Sequence, residues 1–362
     1  MKRVIFNKPD PGFYQSVKTA VDEYFSRQHL KKTGNLQLYF KTVLFIPSAL
    51  LAYLYLLLGQ YSALGGLLLS LALGLLLALI AINIMHDACH GSFSGKNWVN
   101  YTMGLTMNAL GSNAFLWKIK HNILHHTYTN IDGIDNDIAQ WPILRQSPVQ
   151  KWKPAHRYQY LYMFPLYGIS TLVWTLIFDF TKYFSRKISS TEIKHISLKE
   201  HLLFWISKFL YVFFYTLIPV VMLGWQNWLT GFLLVHITMG SSLTILFQLA
   251  HLVGNTNFES PGKVSTEIES SWAIHEVMTT SNFATGNKFV SWLAGGLNFQ
   301  IEHHLFPRIS HVHYPVLSNI VRKECALYDL PYHCYPTVNK AFFSHVRFMK
   351  ELGRDTSKST TV

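Results

Sequence analysis

Apolar and polar positions along this 362-residue chain fall into long blocks instead of short amphipathic repeats. The blocks 42–59 and 63–85 each run about 18 residues or more without a charge, enough to cross a bilayer as a helix at roughly 1.5 Å per residue. The turn "GQYS" joins them, so they predict a helical hairpin. A second pair, 203–223 and 228–250, joined by "LGWQN", predicts another. A fifth block, "LYMFPLYGISTLVWTLIFDF" at 161–180, lies between the hairpins. If it crossed fully, residues 86–160 and the carboxy-terminal segment would emerge on opposite faces. It is therefore expected to lie in the interface or re-enter, broken at its start by Pro165 and Gly168. After residue 251 no block is long enough to span, and helical patterns recur only near 316–328 and 337–352.

These blocks define an all-α integral membrane protein with four transmembrane helices in two hairpins and a helical cap on the cytoplasmic side. No repeat or linker divides the chain, so a single domain is expected over 1–362. Its parts are a cytoplasmic segment 1–41, the first hairpin 42–85 and a cytoplasmic or interfacial part 86–200. The second hairpin, 201–251, and a cytoplasmic part, 252–362, complete it.

Composition agrees, with 49% hydrophobic and only 14% charged residues. About forty polar and charged residues precede the first block, which argues against a cleavable signal peptide. The net charge of +12 is concentrated where the positive-inside rule wants it. Lys2, Arg3, Lys8, Lys18, Arg27, Lys31, Lys32 and Lys41 crowd residues 1–41, whereas the turns within the hairpins are uncharged. Both termini are thus expected in the cytoplasm, and the basic charge favours anionic headgroups and acidic protein partners over nucleic acid. The cysteines, Cys89, Cys325 and Cys334, form no CxxC and indicate a reducing face. Trp117, Trp141, Trp152 and Trp292 are read as markers of the membrane interface.

The chemistry lies in the histidines. "HDACH" puts His86 and His90 on one helical face at the end of the first hairpin, and "HNILHH" supplies His121, His125 and His126. "QIEHH" supplies His303 and His304 beside Gln300, and His251 ends the last spanning block. Eight imidazoles on one side exceed the needs of one metal, so two metals sharing about four each is the natural arithmetic. A catalytic zinc takes three protein ligands, and carboxylate-bridged di-iron bundles use Glu-x-x-His motifs, so neither matches this set. A histidine-rich di-metal centre at a membrane surface points to oxygen activation. Asp87, Asp135, Asp137, Glu302 and His275 are near enough to orient ligands through their second ring nitrogen. The carboxylates of "DGIDND" do not form a calcium loop, because Ile134 occupies a position that needs an oxygen ligand. His236, fifteen residues before His251, is expected in an interhelical hydrogen bond.

"HDACH", "HNILHH" and "QIEHHLFPRISHVHYP" resemble the three histidine boxes of the membrane fatty-acid desaturases. The third resembles the front-end, linoleoyl-CoA-desaturase-like branch, in which the box begins with Gln. The resemblance implies two non-haem Fe ions, O2 as oxidant and a long-chain acyl substrate, as acyl-CoA or acyl-lipid, that gains a cis double bond. It assigns His86, His90, His121, His125, His126, His251, His303 and His304 as ligands and leaves Gln300 to ligate, hold a water or position its neighbours. No HPGG haem motif occurs, so electrons are expected from a separate ferredoxin or cytochrome b5 with its reductase. Rival readings are a hydroxylase or ketolase using the same centre, a sphingolipid desaturase, and a non-enzymatic membrane metal binder. A bacterial cytoplasmic membrane is favoured over the endoplasmic reticulum.

Overall fold

The computed structural model describes residues 4–138, 142–189, 191–259 and 267–354. Regular structure there is almost wholly helical, with strands limited to three two-residue pairings such as Asn282–Phe283 beside Cys334–Tyr335. Helix α1 (Phe13–Arg27) precedes α2 (Leu36–Leu58) and α3 (Ala63–His90). Then come α4 (114–125), α5 (Pro154–Ser185), α6 (Leu198–Leu223) and α7 (Trp225–His251). The carboxy-terminal part holds α8 (Trp272–Thr279), α9 (Gln300–Leu305), α10 (Tyr314–Leu327) and α11 (Val338–Leu352).

Local chemistry sets the long helices. Asn35 caps α2 by accepting from the Gln37 N–H, and Ser62 caps α3 by accepting from Gly65. Gly91, at φ 77°, ends α3, and Gly224, at φ 79°, turns α6 into α7, both in a region that L side chains avoid. Side chains such as Leu51, Leu58, Leu68, Phe209 and Val221 point outward and remain exposed. An apolar outer belt of this kind is what lipid-facing helices present.

Five helices, α2, α3, α5, α6 and α7, are long and apolar enough to cross a membrane by length and composition. Four are the expected pairs, and α5 corrects the expectation of a broken segment. It is one helix of 32 residues that runs straight through Pro165 and Gly168. The reason is packing against α7. Gly168 lies against Ile237 and Ser241, and a Cβ on Gly240 would collide with the Gly168 carbonyl oxygen, so the glycines let two backbones meet. Beside that crossing Ser170 Oγ lies 2.8 Å from Thr244 Oγ1, and Thr171 Oγ1 lies 3.0 Å from His236 Nδ1. The interhelical bond expected of His236 is therefore present.

A second layer covers the shared ends of α3 and α7. Phe13, Val17, Val21 and Phe25 of α1 pack with Leu305, Leu317 and Val321 of α9 and α10. On the other flank Met349 and Leu352 of α11 close on Met163, Tyr167 and Leu252. Lys41 does not join the basic surface as the charge pattern suggests. It is fully buried in α2, donating to Asn83 Oδ1 and the Trp292 carbonyl, each at 2.7 Å, with His311 Nε2 3.1 Å away.

Candidate metal centre

Two of the histidine pairs stand beside widened helical turns. The His86 N–H reaches back five residues to the Ala81 carbonyl, and the His126 N–H reaches the His121 carbonyl in the same way. Such a turn holds an extra residue and re-aims the side chains that follow, a device found at functional sites. With α7 and α9 these turns gather the seven box histidines and His251 in one buried volume. Ligand atoms of His86, His90, His121 and His303 lie within 4.8 Å of one another, as do those of His125, His251 and His304. His126 sits between the groups, its ring 4.5 Å from His303 and 4.4 Å from His304.

The set fits metal. The Nε2 atoms of His90, His121, His125, His303 and His304, and both nitrogens of His126 and His251, are buried with no hydrogen-bond partner. A buried polar atom normally finds a partner and an orphan costs about 1–3 kcal/mol, so nine orphaned nitrogens in one place call for a ligand. Burial, reinforced by neighbouring imidazoles, pushes His126, His303 and His304 well below the usual histidine value. They stay neutral, and neutral imidazole is the donor that iron, zinc, copper and nickel accept.

The other ring nitrogens are held by the protein. Asp135 Oδ2 lies 3.0 Å from His125 Nδ1 and accepts from the Asn130 N–H. Asp137 Oδ2 lies 3.2 Å from His121 Nδ1. Burial opposes ionisation of Asp137, but Lys120 and His121 outweigh it and hold the carboxyl well below its usual range. Burial likewise pulls His125 down, yet Asp135 and Asp137 leave it raised. His275 Nε2 meets the Thr129 carbonyl at 2.8 Å.

The remaining candidates act elsewhere. Asp87 is bound by Ser310 Oγ at 2.6 Å and lies 3.0 Å from His311 Nδ1, tying the first box to the segment after the third instead of orienting a box imidazole. Glu302 accepts from Asn282 and the Tyr332 hydroxyl, away from the imidazoles, and burial raises it to about 7. Gln300 is buried beside His303.

Sequence reasoning missed four participants. Glu276 Oε2 lies 2.7 Å from His304 Nδ1 and accepts from Thr129 Oγ1, also at 2.7 Å. Burial lifts this carboxyl well above its usual range. A proton on His304 Nδ1, donated to Oε2, leaves the Nε2 lone pair free. The Tyr314 hydroxyl lies 3.1 Å from His303 Nδ1. Lys120, 1% exposed, pairs with Asp137 and stands 3.7 Å over the Trp174 ring. Trp117 is not an interface marker: it is buried and stacked on His121 at 4.4 Å. Trp152 donates to the Gly353 carbonyl and Trp292 packs on Phe45, while Trp141 falls outside the described residues. Glu276 stands next to His275 on an apolar helix, a signal available in the sequence.

A cavity of about 310 Å³ opens from these histidines. His86, His121, His303 and Gln300 border it on one side, and Met107, Leu110, Ser112 and Met239 continue its wall. Its shape and apolar lining suit a hydrocarbon chain presented to whatever the imidazoles hold.

Residues 61–336 match the family described as fatty acid desaturase. The chain is 34% identical over 354 residues to the sn-1 linoleoyl-lipid 6-desaturase of Synechocystis sp., covering 95% of this chain and 96% of that one. It is 31% identical to the enzyme of the same name from Arthrospira platensis, over 97% of this chain and 95% of the other. The acyl-lipid (8-3)-desaturase of Physcomitrium patens is 32% identical, over 94% of this chain and 72% of its own length. The chain belongs to the fatty acid desaturase family and is a membrane-bound fatty acyl desaturase.

Proposed function

We propose that the chain introduces a cis double bond near the carboxyl end of a lipid-esterified long acyl chain, using two non-haem irons and O2. The convergence of orphaned imidazole nitrogens in two adjoining groups carries this reading. His86, His90, His121 and His303 would hold one iron and His125, His251 and His304 the other, with His126 between them. Bound there, the irons supply the oxidising power by which an acyl CH2–CH2 pair, O2, two electrons and two protons give CH=CH and two waters.

The chain's own residues position and exclude. Asp135, Asp137, Glu276 and Tyr314 fix ring orientation and leave the metal-facing nitrogens free of protons. The apolar cavity seats one stretch of acyl chain beside His86, His121 and His303 and keeps bulk water away. Acyl-lipid as the substrate form, and the front-end position, follow the names of the relatives that share almost the whole chain.

The arrangement in the membrane is part of the proposal: two spanning hairpins, termini and histidines on the cytoplasmic side, in a bacterial cytoplasmic membrane. Lys120, next to His121, stands over Trp174, about two thirds of the way along α5, which favours an α5 that stays near the plane of the site. An acidic ferredoxin, or cytochrome b5 with its reductase, would meet the basic cytoplasmic face.

Cells expressing the chain, beside a His304→Ala control, provide the test. Their lipids are separated by class and double-bond positions are mapped by mass spectrometry. A new cis-unsaturated acid in glycerolipid, absent from the control, is expected. Oxygenated acids without new double bonds, or the same profile in both strains, would overturn the proposal.

A further inference from the structure

The helical bundle holds a second cavity, of about 490 Å³, which the site does not use. It lies among α2, α3, α6 and α7, lined by Tyr53, Ser70, Tyr215, Phe232 and Val235. Along α7 it stops at Val235, and the cavity that opens from the histidines begins at Met239. That step of four residues amounts to about 6 Å of helix, the length of roughly four or five methylenes.

What separates the two is a hydrogen-bonded layer centred on His236. Its Nε2 lies 2.6 Å from the Tyr211 hydroxyl and its Nδ1 lies 3.0 Å from Thr171 Oγ1. Neither His236 nor Tyr211 lines a cavity itself, and each stands behind a lining residue. Thr171 lines the first, while Tyr211 stacks at 4.9 Å on Tyr215, which lines the second. Phe232, also in the second cavity, lies 4.6 Å from the His236 ring. The seat of Tyr211 is built for it: Gly111, at φ 94°, stands between wall residues Leu110 and Ser112, and a Cβ there would lie 2.5 Å from Tyr211 Cε2. A hydrogen-bonded set of Tyr, His and Thr inside an apolar bundle is expensive to break, because each lost partner leaves a buried polar atom.

We propose that Tyr211 and His236 form the floor of the acyl cavity and set the longest chain the enzyme accepts, with the second cavity as space beyond that floor. The inference rests on the reading of the first cavity as the acyl site. Removing the floor joins the cavities and admits substrates longer by roughly four or five carbons.

The test feeds expressing cells a series of acids of rising chain length and compares desaturated product for each. Tyr211→Ala/His236→Leu removes the bonded pair together, so no imidazole is stranded, and is expected to raise the ratio of longest to shortest product at least tenfold. Val235→Phe, which fills the second cavity, restores the parental ratio in that background and leaves it unchanged alone. His236→Ala gives an independent opening should the double variant fail to accumulate. Active opened variants with the parental ratio would refute the floor while leaving the desaturase reading intact. A parent that desaturates no acid in the series would overturn both.

Discussion

Glu276 offers the sharpest test of how the protein holds its imidazoles, since it touches no proposed metal position itself. Its Oε2 lies 2.7 Å from both His304 Nδ1 and Thr129 Oγ1, and Glu276, His304 and Thr129 are all fully buried. Glu276→Gln keeps the volume but places an amide opposite His304. An amide oxygen there still accepts from Nδ1–H; an amide N–H would instead demand a lone pair on Nδ1 and put the proton on Nε2. Losing such an orienting partner weakens metal binding by about 10–100-fold, or roughly 1.4–2.7 kcal/mol. Glu276→Ala should also destabilise the fold, by about 1–3 kcal/mol, because it leaves His304 Nδ1 only the Thr129 hydroxyl at 3.1 Å, which itself bonds the His125 carbonyl. The assay combines iron per chain, a chelator titration and thermal unfolding of protein in lipid discs. Glu276→Gln is expected to melt close to the parent while its chelator midpoint shifts by about one to two decades. A Gln variant holding two irons with the parental midpoint would refute the role assigned to Glu276.

Other expectations follow from the same geometry. Lys120→Met leaves Asp137 buried without its cation and should cost about 3–5 kcal/mol, read as a lowered melting temperature; a parental melt would contradict the pairing. Gly240→Leu drives a side chain into the Gly168 carbonyl, so about 1–3 kcal/mol or more of overpacking should separate α5 from α7 and yield aggregated protein on size exclusion. On the proposed ligand set of eight imidazoles, Gln300→Ala should retain both irons by elemental analysis and lower only turnover; loss of one iron would make Gln300 a ligand.

Much of this was legible because spacing and chemistry coincide. Unbroken apolar blocks dictate spanning helices, and an i, i+4 histidine pair on a helix must share a face, so α2, α3, α6, α7 and the box histidines could be read directly. Asp135 and Asp137 were legible too, being tied by short chain separation to His125 and His121. What could not be read depends on tertiary contact. Gly168 looks like a helix breaker until Gly240 is seen against it, and Lys41 looks like a headgroup charge until Asn83 and His311 are placed around it. Glu276 meets His304 across 28 residues and Tyr314 meets His303 across 11, so which imidazole each serves shows only in the tertiary contact. The widened turns at 81–85 and 119–125 leave no compositional trace, yet they stand at the first two histidine boxes.

The central claim is that eight imidazoles of one chain hold two irons in two groups. Diffraction from the purified protein, with anomalous scattering recorded on either side of the iron edge, tests it most directly. Two iron peaks are predicted, one among His86, His90, His121 and His303 and one among His125, His251 and His304. A single metal, a metal other than iron in a catalytically active preparation, or density away from these histidines would contradict it.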